Sequence, residues 1–157
     1  MQLDLFEHSR DVMLRNDVVG ALQRRDSVAA EKALAVLSAE FPDDTLRVPL
    51  TELSTVLKSR NAPFGSHDEA LQTLDRMESV VVPAAHRVFG AVEATNWLVP
   101  VWRSMASEAQ HLAFDADRPR AHAAPMLLAA ADWTTAETTI KRIPSWRRIP
   151  TRPSRRT

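Results

Sequence analysis

Four residues late in the chain, Glu108-Ala109-Gln110-His111, have the E-x-x-H spacing that sets a carboxylate and an imidazole one turn apart on a helix. That spacing serves di-iron chemistry when two such pairs and two further glutamates converge inside a bundle. This sequence has one pair, so no metal centre is expected. Gly65-Ser66-His67-Asp68 supplies a hydroxyl, an imidazole and a carboxylate, but side by side. A hydrolytic triad converges in space from separate segments. Ser66 and Glu69 instead form a capping box, in which serine accepts from the amide of the glutamate and the glutamate reaches back to the serine amide. There is no cysteine, which excludes disulfides, thiolate metal sites and cysteine nucleophiles. Three scattered glycines cannot build a phosphate-cradling or dinucleotide loop. His86, His111 and His122 read as surface or satisfied core residues. The expectation is a non-enzymatic protein without a cofactor.

The elements that carry these residues read as helices throughout. The chain of 157 residues is 45% apolar and 25% charged, rich in alanine, leucine, glutamate and arginine, a bias toward helix in a single domain. A first helix is expected from about residue 7 or 10 to Arg25, with Leu14, Val18, Ala21 and Leu22 on one face. A second, over about 28–40, carries Val28, Ala30, Ala33, Leu34 and Leu37 inward and stops at Phe41-Pro42. A third covers roughly 45–60, with Leu46, Leu50, Leu53 and Leu57 on its face. The fourth starts at the capping box and breaks or kinks near Val82, before Pro83. A short fifth, Ala84 to Phe89, ends with Gly90 as its cap. A sixth is expected from Glu93 to Phe114. Trp97 lies on its core face, and Trp102, five residues on, is expected to split from it, one ring in the core and one in a groove. The last hairpin spans about 120–142, with Met126, Leu127, Ala130, Ala136 and Ile140 inward. No segment sustains the alternation of a strand, and Val80-Val81-Val82 is too short to count. The fold class is all-α, built of antiparallel helical hairpins.

Two of the turns repeat. Asp26-Ser27-Val28-Ala29-Ala30-Glu31-Lys32-Ala33-Leu34 and Asp132-Trp133-Thr134-Thr135-Ala136-Glu137-Thr138-Thr139-Ile140 share the pattern D-x-x-x-A-E-x-x-[L/I]. The aspartate caps the second helix, the alanine allows close approach, and the Leu or Ile closes the hairpin core. This pattern resembles a tetratricopeptide-type hairpin, a helix pair with a small-residue crossing that recurs about every 34 residues. The resemblance covers about 20–44 and 120–144, with no matching turn near 60 or 94. It implies a tetratricopeptide-like array that presents a concave protein-binding surface. After Ile143 neither a further repeat nor a polar cap follows, so a member shortened at its C-terminus is expected, with its last residues free of fold constraint.

Gln2-Leu3-Asp4-Leu5-Phe6 resembles the peptide with which bacterial polymerases and repair proteins bind the replication sliding clamp, Q-L-[S/D]-L-F, at all five positions. The resemblance implies that Gln2 enters one subsite and Leu5 and Phe6 a hydrophobic pocket, two apolar anchors with one amide for register. Two helix starts compete for these residues. With Asp4 as N-cap, Leu5 and Phe6 pack on the domain; with Ser9 as N-cap, residues 1–8 are left free as a docking peptide. Charge is split as well. Residues 1–140 hold all 20 acids and 13 bases, whereas residues 141–157 hold 7 bases and no acid. In this basic tail, Arg147, Arg148, Arg152, Arg155 and Arg156 could meet phosphates, with Trp146 to stack on a base. No nucleic-acid-binding fold stands behind them, and direct binding is not expected. The organisation read from sequence is a linear-motif N-terminus over 1–8, a helical domain over 9–143 and a disordered basic tail over 144–157. The N-terminus, with Asp4 and no apolar stretch, does not read as a signal peptide, and the longest apolar run, Ala123 to Ala131, falls far short of a membrane span. The expected location is cytoplasmic.

Overall fold

The computed structural model describes residues 2–59, 61–144 and 146–148, with the side chains of residues 2–8 and 148 outside that description. The described residues form helices α1 (Gln2–Gln23), α2 (Ser27–Glu40), α3 (Arg47–Lys58), α4 (His67–Arg76), α5 (Val82–Phe89), α6 (Ala91–Ala109), α7 (Ala123–Ala129) and α8 (Trp133–Lys141), and no strand. The architecture is all-α. Most neighbours in the chain pack on one another, α1 on α2, α2 on α3, α5 on α6, α6 on α7 and α7 on α8, while α3 packs past α4 on α5. No described helix is long and apolar enough to cross a membrane.

The face spacing of α1 places Leu14, Val18, Ala21 and Leu22 in the core, as expected. Its start differs. The backbone is helical from Gln2, so neither Asp4 nor Ser9 is the N-cap. No glycine or proline lies between Gln2 and Ser9, and a helix once nucleated propagates through such residues. Helix α2 ends at Glu40, whose carboxylate accepts from Arg10 Nε and Nη2, both at 2.6 Å. The first two turns of α1 therefore extend roughly 12 Å past that ion pair. A second clamp follows, where Arg15 Nη2 lies 2.5 Å from Asp44, a carboxylate with only 1% of its side chain exposed. On α2, Ala30, Leu34 and Leu37 are buried, but Val28 is 75% exposed. It sits one residue into the helix, on the turn side rather than on the seam with α1.

The two repeated turns have the same geometry. Arg25 and Ala131 both take φ of 56°, in the left-handed region. Asp26 N–H donates to Ala21 O at 3.0 Å, and Asp132 N–H to Leu127 O at 2.9 Å, the six-to-one bond of a Schellman ending. The side chain of Asp26 then accepts from Ala29 N–H at 2.9 Å, and that of Asp132 from Thr135 N–H at 3.2 Å. Ala30 and Ala136 are fully buried at the crossings. Each turn thus closes one helix and caps the next within two residues. Ile140 is half-buried, and the buried side chain at this end is Ile143.

Helix α4 opens as a capping box with a one-residue difference. Glu69 N–H donates to Ser66 Oγ at 3.1 Å, while the Glu69 carboxylate reaches back to the amide of Gly65, at 2.7 Å. The expected break at Pro83 is instead a π-turn over Met77–Val81, in which Val82 N–H bonds Met77 O. Proline lacks the N–H that an ordinary α-turn needs there, and the widened turn carries the helix through. Gly90, at φ 79°, then separates α5 from α6. A Cβ at Gly90 would meet nothing within 4 Å, so only the backbone conformation favours glycine.

Helix α6 is enclosed on a wide arc. Trp97 and Trp102 are both buried, at 6% and 9% exposure, together with Ala94, Leu98, Val101, Met105, Ala106 and Ala109. Both rings belong to the core, with α5 and α7 packed on this helix, and Trp97 also edges a surface cavity, so the expected split between core and groove holds only in part.

Candidate partner-binding groove

The chemistry-bearing residues are apart from one another. Helix α6 stops at Ala109, so Glu108 and His111 do not share a helical face, and His111 lies exposed in the following turn. His67 Nε2 lies 2.7 Å from Ala113 O and Asp68 pairs with Arg118 at 2.9 Å, so Ser66, His67 and Asp68 turn to separate partners. Among the described residues no cluster of three or more His, Cys, Asp or Glu side chains could hold a metal ion.

A groove forms instead where the first turn meets α6. Left-handed Arg25 directs its guanidinium across the chain, 4.9 Å from the centre of the Trp97 ring. Arg25 Nη1 donates to Trp97 O at 3.0 Å, and Trp97 Nε1 donates to Leu22 O at 2.9 Å. Pro100, inside α6, has no N–H to donate to Asn96 O, one residue before the carbonyl that the arginine reaches. Partial burial pulls the Arg25 pKa down, and among the described residues no carboxylate pairs with it.

Two cavities meet at Arg25. One, of about 310 Å³, is lined by Gln23, Phe89, Glu93, Asn96 and Trp97. The other, of about 320 Å³, is lined by Ser59, Asn61, Pro100, Ser104 and Glu108 among others. Ser104 Oγ donates to Asn61 Oδ1 at 2.8 Å and faces Glu108 Oε1 at 3.3 Å. Burial raises the Glu108 pKa, the Ser104 hydrogen bond opposes that rise, and the nearby charge of Glu69 adds to it. The groove therefore offers a stacked cation, an aromatic ring, amide and hydroxyl groups and the carboxylates of Glu93 and Glu108, a mixture suited to a peptide.

Gln2, Leu3, Asp4, Leu5 and Phe6 lie in the first turns of α1, and their side chains fall outside the described residues. Arg147 is exposed in a 3-10 turn at Trp146–Arg148, with its guanidinium 5.5 Å from the centre of the Trp146 ring. The Arg148 side chain and the whole of Arg152, Arg155 and Arg156 lie outside the described residues. Arg147 does not line the cavities at Arg25. The groove escaped the sequence reading because its two central residues are 72 positions apart. The one available signal was an arginine, rather than a glycine, just before the capping aspartate. Comparison with protein-family models, curated proteins and solved structures finds no match.

Proposed function

We propose that this chain is a non-enzymatic protein–protein interaction module that docks on a replication sliding clamp through Gln2-Leu3-Asp4-Leu5-Phe6, as an accessory factor in replication or repair. One observation carries the reading: the five-residue match lies on the part of α1 that extends past the Arg10–Glu40 pair closing the hairpin. That position, N-terminal to the ion pair that closes the hairpin, supports a role in contact with another protein. The tetratricopeptide-like character of the array supports the same class, since such hairpins present surfaces rather than reactions. The test is a binding titration of the full chain against a purified bacterial sliding clamp, beside a Leu5→Ala/Phe6→Ala variant. Loss of the two anchors should weaken binding by about 2 kcal/mol or more. Equal affinity for the two proteins would remove the clamp from the proposal.

A second reading, a peptide-binding scaffold unconnected with DNA in which residues 2–6 serve as the start of α1, is favoured by the groove at Arg25. Its expected ligand is an extended peptide with an acidic or aromatic side chain against the Arg25–Trp97 pair. Screening the full chain and an Arg25→Ala variant on one peptide array tests it. Indistinguishable binding patterns would sink it.

A further inference from the structure

The end of the array holds a second cavity with a different chemistry. It has a volume of about 360 Å³ and lies between the turn after α6, the start of α7 and the end of α8. Leu112, Phe114 and Ile143 give it apolar walls, and His111, His122 and Arg142 stand at it with no carboxylate among its lining residues. In a chain whose first 140 residues carry seven more acids than bases, that local excess of cationic and N–H groups stands out.

The His122 ring is oriented. His122 Nδ1 accepts from Ala124 N–H at 3.3 Å, which leaves Nε2 as the protonated nitrogen of the neutral ring. Phe114 meets the same imidazole edge-on, with ring centres 5.7 Å apart, and so fixes its plane. Arg142 makes no ion pair or side-chain hydrogen bond among the described residues, so its fork of donors is available.

We propose that this cavity binds a small aromatic or branched monocarboxylate. The carboxylate would lie between Arg142 and His122 Nε2, and the apolar body against Phe114, Leu112 and Ile143. The volume is at the small end of ligand cavities, which fits a single ring or a short branched chain. An inorganic anion would leave the apolar walls wet, and a neutral aromatic alcohol would leave the Arg142 donors unmatched.

Benzoate is the probe, titrated into the full chain and followed by chemical shifts of the His122 and Phe114 side chains. Benzoate should move both sets of signals saturably. Benzyl alcohol and inorganic phosphate should each bind at least about tenfold more weakly, the value of one charge-assisted contact or of the buried ring. Arg142→Gln, a change at an exposed residue, should cost benzoate affinity about tenfold or more while leaving the thermal melt in place. His122→Gln supplies a second variant at the other donor. Absence of saturable shifts with benzoate overturns the proposal. So does equal affinity for benzyl alcohol or for phosphate, or unchanged benzoate binding in both variants.

Discussion

Arg25 caps the face of Trp97, with its guanidinium 4.9 Å from the ring centre, while the indole N–H of the same tryptophan donates to the carbonyl of Leu22, three residues before that arginine. The end of α1 and the middle of α6 thus hold each other from two directions. The carbonyl belongs to the last turn of α1 and already accepts from the amide of Arg25 at 3.0 Å. The tryptophan adds a second bond to it across the fold.

Trp97→Phe keeps most of the ring and removes the donor. Loss of a single buried hydrogen bond, with its acceptor left in place, should destabilise the protein by about 1–2 kcal/mol. Trp97→Ala removes the ring as well and should cost about 3–5 kcal/mol. Urea unfolding of the three proteins checks both. A phenylalanine variant as stable as the parent would show that the Arg25 amide alone serves the Leu22 carbonyl as well.

Arg25 and Ala131 both pay the steric cost of a left-handed backbone that glycine avoids. Ala131→Gly should stabilise the chain by about 0.5–1 kcal/mol through relief of that strain. Arg25→Gly relieves the same strain but removes a cation–π contact and a hydrogen bond to Trp97 O, each of similar size, so it should give no gain or a net loss. The contrast between the two equivalent sites is the measurement, read as the shift in urea midpoint. Equal stabilisation at both positions would mean that the Arg25 side chain contributes nothing to folding.

Those two positions also mark where the sequence could be read and where it could not. The seam of α1 at Leu14, Val18, Ala21 and Leu22 was legible because its buried residues fall on one stripe, packed chiefly against α2, and spacing alone records a stripe. The caps at Asp26, Ser66 and Asp132 were legible because capping is local. The turns at Arg25 and Ala131 lacked the usual signal, since neither is glycine. Helix α6 misled because it is covered from several sides, so Trp97 and Trp102 are both buried although no single face holds both. The groove was invisible for a stronger reason. Arg25, Asn61, Trp97 and Ser104 meet only after the array has packed, and nothing local in any of their segments records the others.

Asp26 and Asp132 each serve one helix. Asp26→Ala and Asp132→Ala should each cost about 1 kcal/mol, the usual value of an N-cap oxygen. Asparagine at either site keeps the acceptor and should recover most of the loss. Arg103 Nε lies 4.0 Å from the Asp132 carboxylate, and this exposed pair adds little. Thermal melts of the alanine and asparagine variants separate the cap from the charge. If asparagine fails to rescue, the ion pair rather than the cap carries the contribution at Asp132.

Glu108 shows the opposite balance, a carboxylate that the fold disfavours. Burial and the charge of Glu69 raise its pKa above the ordinary 4.5, and the hydrogen bond from Ser104 only partly offsets this. A group whose pKa rises on folding contributes fully below its unfolded value and loses that contribution as pH climbs through its folded value. Glu108→Gln mimics the protonated form at every pH and keeps an oxygen that can accept from Ser104. The variant should match the parent near pH 4 and become the more stable protein as pH rises above 4.5 toward neutrality. Paired urea titrations at the two ends of that range read the difference directly. A glutamine variant less stable than the parent at neutral pH would mean that the ionised carboxylate is held by a favourable partner, most directly Arg25, which lines the same cavity.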